Sequence, residues 1–231
     1  MRLFWAFRPP DDAIQAAAEL LRGLQAPVAQ LGYGVTWVRP AGLHTTLKFL
    51  GEVDAARVPD VIARVQRGMA MMPTAPAIVR LRSVGAFPQP ERPKVIWLGV
   101  QGESESNQGR LQSLATAVED WMAELGFPRE DRPYRAHLTL GRVRDRHQPR
   151  SVDPRRSRST GKPGSDASRP SGGPIGPDAW RRGLSDLLAG YGDRPVGTAF
   201  AVKEIVLFES RLGPDVPDYV PLVTVPVGSG K

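Results

Sequence analysis

The pattern H-x-T-L occurs twice, as His44-Thr45-Thr46-Leu47 and as His137-Leu138-Thr139-Leu140, and each copy sits in an apolar, strand-like run. The chain has three histidines, and two of them are placed this way. Thr and Leu recurring at the same offsets point to two similar structural units rather than to chance. Alternate side chains of a strand share a face. His44 and Thr46 therefore point one way, and His137 and Thr139 do the same on the second unit. Two such units facing each other place two imidazoles and two hydroxyls around one central volume. A tetrahedral phosphate suits that volume: the hydroxyls donate to its non-bridging oxygens while the rings reach the attacking and leaving oxygens. Imidazole titrates near neutrality, so one ring can accept a proton while the other gives one. The implied chemistry is phosphoester cleavage without a metal. Threonine is a poor ligand, and neither motif holds a carboxylate or a second histidine at ligand spacing.

The remainder of the chain reads as α+β. Strands are expected at Arg2 to Phe7, Val35 to Val38, Leu43 to Leu50, Ala77 to Ala86, Val95 to Val100, Arg135 to Val143, Ala199 to Phe208 and Tyr219 to Val227. Helices are expected from Ala13, capped by Asp11 or Asp12, from about Arg57 to Met71, from Gln108 to Leu125, and from Asp178 to about Tyr191. Strands and helices mix without a regular βαβ beat, and no glycine-rich phosphate loop is present. This organisation fits one bilobal, pseudo-symmetric domain spanning residues 1–231. Its two antiparallel sheets would line a central cleft, with helices packed outside.

The formal charge of +7 invites a nucleic-acid reading, but its location matters more than its size. Between Arg144 and Arg182 stand ten basic residues against four acidic ones, which leaves one of the seven net charges to the rest of the chain. From about Asp145 to Pro177 Arg, Ser, Pro and Gly dominate, and such a segment cannot bury enough apolar surface to offset its ordering entropy. It is expected to be a disordered basic insert, with His147 a solvated residue at its edge. Either it is a solvated linker, the favoured reading, or it is an arm that binds RNA phosphates without sequence preference. The chain has no cysteine, which rules out disulfides and thiolate metal sites and suits a reducing cytoplasm. No stretch is long enough to span a bilayer, so no membrane partner is expected.

These motifs resemble those of the two-histidine phosphoesterases, and within them the RNA 2′,3′-cyclic phosphodiesterases, historically called 2′-5′ RNA ligases. Arg2 to Phe7 resembles the family's opening strand, and Leu43 to Val53 its first signature. Val95 to Gly99, Tyr134 to Leu140, Val206 to Ser210 and Tyr219 to Leu222 also fit, so only the basic insert lies outside the match. The resemblance implies hydrolysis of a 2′,3′-cyclic phosphate at an RNA 3′ end, with His137 as general base for water and His44 as the acid for the leaving 3′ oxygen. Thr46 and Thr139 would hold the phosphate. Arg142 would add charge there, but strict alternation from His137 puts it on the wrong face, so a strand end or bulge near Gly141 is required. Phe49 occupies a family position near the pocket, where it could stack on a base, yet alternation from His44 makes it core first. No cofactor is implied, and the chain is expected to act as a monomer on RNA or nucleotides. The same acid–base pair could run in reverse, joining a cyclic end to a 5′ hydroxyl, and a binding module without turnover is the remaining alternative. Deleting residues 145–177 tests the insert: RNA affinity and its salt slope are expected to stay unchanged, and a flattened slope in a filter-binding titration would instead reveal a phosphate-binding arm.

Overall fold

The computed structural model describes residues 1–72, 75–144, 177–211, 213 and 217–228. The expected basic insert from Asp145 onward, His147 included, lies outside the described residues. The elements run β1 (Arg2–Phe7), α1 (Asp11–Gln30), β2 (Val35–Trp37), β3 (Thr45–Glu52), α2 (Val58–Met71), β4 (Ile78–Phe87), β5 (Val95–Gly102), α3 (Glu105–Glu124), β6 (His137–Val143), α4 (Pro177–Tyr191), β7 (Pro195–Ala201), β8 (Glu204–Arg211) and β9 (Asp218–Pro226). The α+β expectation holds.

Two antiparallel half-sheets, β7-β4-β5-β6 and β3-β1-β8-β9, meet where β6 lies beside β3, with β2 added along β6. The two sheets expected from the sequence are thus joined edge to edge into one nine-stranded sheet. The join is narrow: Thr45 opposite Leu138 is the residue pair that links β3 to β6. Each of these residues directly follows a motif histidine. Counting one residue outward from that pair sets His44 across from Thr139 and Thr46 across from His137. A local twofold axis therefore passes through the pair, and each half-sheet contributes its innermost strand to the middle.

One face of the sheet carries the main core. Leu3, Trp5 and Phe7 of β1, Leu98 of β5, and Leu138 and Leu140 of β6 are all buried there together with Ala17 and Leu24 of α1 and Leu111 and Val118 of α3. Each such large side chain contributes roughly 1.5–3 kcal/mol by leaving water. α1 packs on β7, α4 on β4, α2 on β9, and α3 against both β3 and β5. The opposite face holds a smaller cluster of Phe4, Ala6, Val206 and Phe208, with Tyr219 packed on it.

Some expectations need correction. The run from Ala199 to Phe208 is not one strand: the chain breaks between β7 and β8, which lie in different half-sheets. Neither Asp11 nor Asp12 caps α1. Pro10 takes the cap position, and the Asp12 carboxylate accepts a hydrogen bond from the Thr198 hydroxyl at 2.8 Å. α3 begins three residues earlier than Gln108, because Ser104 caps it by accepting from the Asn107 amide.

Lys48 follows the first motif directly and is 2 % exposed. Its ammonium donates to Glu119 Oε1 of α3 at 2.8 Å and to the Pro128 carbonyl at 2.6 Å, so it ties β3 to α3 and to the segment after it. Glu130 lies 3.9 Å from the same nitrogen. Removing one partner of a buried ion pair leaves an uncompensated charge, which costs several kcal/mol. Lys48→Ala is expected to lower stability by about 3 kcal/mol in urea unfolding; a loss below about 1 kcal/mol would show that the pair does not anchor the strand.

Candidate active site

Strict alternation fails in both motifs, and at the same residue. Along β1, Ala6 pairs with Thr46 and Trp5 with Lys48, so Leu47 has no partner of its own. Along β5, Trp97 pairs with Thr139 and Ile96 with Gly141, so Leu140 has none. The leucine of each H-x-T-L is a β-bulge, an extra residue that turns the rest of the strand over. Both leucines remain in the core, 5 % and 0 % exposed. The residue after each is buried as well, Lys48 in one strand and Gly141 in the other. The next one emerges on the histidine face: Phe49 and Arg142, each five positions after its histidine. The bulge that Arg142 requires is therefore present.

For Phe49 the bulge overturns the expectation of a core position. Phe49 is 50 % exposed, with its ring 5.6 Å from that of Phe4, which in turn lies 4.8 Å from the His44 imidazole. Arg142 is exposed, and its charge is felt at both histidines and at Tyr219. The charge of His137 is felt at His44. The fold thus brings His44, His137 and Arg142 into one electrostatic neighbourhood, with Thr46 and Thr139 half-buried beside the histidines.

The two rings are anchored alike. His44 Nδ1 lies 2.8 Å from the carbonyl of Gly42, and His137 Nδ1 lies 2.7 Å from the carbonyl of Arg135. In each case the acceptor is two residues upstream. A carbonyl only accepts, so Nδ1 carries the hydrogen and Nε2 is left free to exchange a proton.

Their surroundings differ. His44 lies in an aromatic nest, with the Tyr219 ring edge-on at 4.7 Å and Phe208 at 6.2 Å. Burial disfavours the charged ring and takes its pKa down to about 4; the Gly42 carbonyl opposes this, and the charges of His137 and Arg142 add to it. His137 has Phe87 edge-on at 5.0 Å and Trp97 at 6.5 Å. Burial lowers its pKa too, against the Arg135 carbonyl and with the help of Arg142. Two cavities of about 660 and 710 Å³ border His137 and share Phe87, Tyr134 and Arg135 as walls. Neither borders His44.

Sequence reasoning missed Phe4, Phe208, Tyr219 and Phe87, which set the polarity around the rings. A signal existed in β1: Leu3 to Phe7 is apolar at every position, so both faces of that strand must be covered. Among the described residues, no three His, Cys, Asp or Glu side chains gather as metal ligands, and no helix is long and apolar enough to cross a membrane.

Comparison with known proteins gives the family. Residues 9–97 match the model of the LigT-like phosphoesterases. An RNA 2′,3′-cyclic phosphodiesterase of Archaeoglobus fulgidus is 37 % identical over 153 residues, covering 66 % of this chain and 78 % of that protein. One of Methanocaldococcus jannaschii is 26 % identical over 219 residues, covering 95 % and 96 %. The fold matches a crystal structure from Thermus thermophilus with TM-score 0.65 and 24 % identity, covering 99 % of this chain and 98 % of that one. It matches Escherichia coli LigT complexed with 3′-AMP with TM-score 0.62 and 21 % identity, covering 98 % and 97 %. The chain belongs to the LigT-like phosphoesterases, a two-histidine family.

The lowered pKa values predict that both rings are neutral at pH 7 and gain protons only as the pH falls. Two-dimensional ¹H–¹⁵N spectra of the imidazoles in the unliganded protein are expected to show His44 titrating near 4 and His137 below the ordinary 6.5. A midpoint at or above 6.5 for either ring would contradict the burial argument.

Proposed function

We propose that the protein hydrolyses RNA 2′,3′-cyclic phosphate ends to 2′-phosphates by acid–base catalysis between His44 and His137, with no metal. The observation that carries this reading is the Thr45–Leu138 pairing, which brings two identically anchored imidazoles to one twofold centre. The name that these relatives share, RNA 2′,3′-cyclic phosphodiesterase, supports the substrate class.

In the proposed reaction His137 Nε2 takes a proton from water as its oxygen bonds to phosphorus. The bond from phosphorus to the 3′ oxygen breaks on the far side, and His44 Nε2 gives that oxygen a proton. A 3′ hydroxyl and a 2′-phosphate result. Thr46 and Thr139 donate to the non-bridging oxygens, and Arg142 offsets their negative charge. Before substrate binds, burial works against a charged His44. The anionic phosphate supplies the opposite charge that the acid needs, so His44 takes up its proton together with the substrate. Phe49 serves as a stacking platform for the terminal base. The enzyme works as a monomer, and a chain without cysteine suits the cytoplasm that we take as its compartment.

Each proton transfer is worth on the order of 10² to 10⁴ in rate. His44→Ala and His137→Ala are each expected to lose that factor in turnover of a nucleoside 2′,3′-cyclic phosphate, and EDTA is expected to change nothing. Full activity in either variant, or its loss in EDTA, would refute the reading; ³¹P NMR identifies the 2′-phosphate.

A further inference from the structure

The two halves of the site are not equivalent in the space they leave. His44 is walled by Phe4, Phe208 and Tyr219, whereas His137 is flanked by two cavities that share Phe87, Tyr134, Arg135 and His137 itself as lining and so lie side by side, a pair termed the trough. At one end the trough starts beside Thr46 and Phe49; at the other it reaches the side chains of Gln101, Gln108 and Gln112. Its size exceeds what a phosphate needs, and each of its two parts falls within the range of about 300–1,000 Å³ that ligand pockets occupy.

Its charges are distributed unevenly. Of the carboxylates that line it, Glu119 and Glu130 face the Lys48 ammonium, at 2.8 and 3.9 Å, and Glu105 stands at the far end, away from His137. Arg132 and Arg135 also line it, both are exposed, and neither has an ion-pair partner among the described residues. The trough thus offers two uncommitted guanidinium groups between His137 and the Lys48 cluster, aromatic walls at Phe49 and Phe87, and amides beside the Glu105 carboxylate at the far end. Guanidinium groups bind phosphate by paired hydrogen bonds, aromatic rings stack on bases without regard to sequence, and amides suit base edges and sugars. The half of the trough nearest His137 thus carries groups that suit a single strand of RNA.

We propose that the trough beside His137 holds the RNA strand leading to the cyclic end, with Arg132 and Arg135 taking the backbone phosphate nearest that end. The proposal rests on the reading of the site as an RNA cyclic phosphodiesterase and adds to it the two side chains that hold the strand behind the cyclic end. The geometry of a cyclic phosphate allows it. The ribose is fused to the five-membered ring and hangs to one side of the bond from phosphorus to the 3′ oxygen. The strand can then leave sideways along the trough while that oxygen faces His44.

The test compares kcat/KM for three substrates: a nucleoside 2′,3′-cyclic phosphate, the dinucleotide ending in the same cyclic group, and that dinucleotide with a neutral methylphosphonate linkage. The natural dinucleotide is expected to be favoured roughly ten-fold over the mononucleotide, the effect of one charged hydrogen-bonded contact. The methylphosphonate and the Arg132→Gln, Arg135→Gln double variant are each expected to bring that ratio close to one. A ratio near one in the unaltered protein overturns the proposal. So does a preference that survives both the neutral linkage and the double variant, since stacking alone would then account for it. Failure to hydrolyse any of the three substrates would instead overturn the cyclic phosphodiesterase reading itself.

Discussion

Everything in the site descends from one antiparallel pairing, Thr45 opposite Leu138. A strand register is all-or-none with respect to face: a slip of one residue turns every side chain over. Here the register has a second consequence, because the paired residues occupy equivalent places in two copies of one motif. The local axis then falls between the histidines by construction, and each imidazole stands beside the threonine of the other copy. Two long stretches of chain need agree at only one point for the four groups to assemble. The apolar core behind that point (Leu47, Leu138 and Leu140, none more than 5 % exposed) is what holds the agreement in place.

The same burial shapes the chemistry. Aromatic rings around His44 and the positive charge of Arg142 both disfavour an imidazolium, and burial does the same at His137, so each ring holds a second proton less readily than a free imidazole. Anchoring each Nδ1 on a carbonyl two residues upstream removes the other tautomer from play and leaves Nε2 as the nitrogen that exchanges protons. The electrostatics of the two rings are thus set by solvation and by one cation rather than by a resident counter-charge.

The period-two pattern of the motifs was legible in the sequence because alternation is a local property of strands. His44 with Thr46, and His137 with Thr139, could be assigned to shared faces from spacing alone. What followed each motif could not. A bulge is a relation between strands, set by how β1 and β5 pair with their neighbours, and nothing within Leu47 or Leu140 announces it. Alternation carried past those leucines sends Phe49 into the core and Arg142 away from the histidine face; the two bulges reverse both. The break between β7 and β8 did leave a local signal, the charged pair Lys203-Glu204 that interrupts the apolar run, but the change of neighbours it marks is again a relation between strands. The aromatic nest was harder still, because Phe4, Phe208 and Tyr219 come from three strands and meet only in the folded sheet.

Equivalent positions in the two motifs have diverged in a way that the twofold makes readable. The residue after the bulge is Lys48 in one copy, buried and tied to α3, and Gly141 in the other, where β2 crosses closely: a Cβ there would stand 2.5 Å from Val35 Cγ1 and 2.9 Å from Trp37 Cε3. One copy is braced by a helix and the other by an added strand. The next residue is Phe49 in one copy and Arg142 in the other, an apolar platform opposite a cation, delivered to one cleft by the same backbone irregularity. A phosphate is close to symmetric but a nucleotide is not. A pocket built from two equal halves binds the first; only halves that have become unequal, in charge and in the space beside each imidazole, can orient the second.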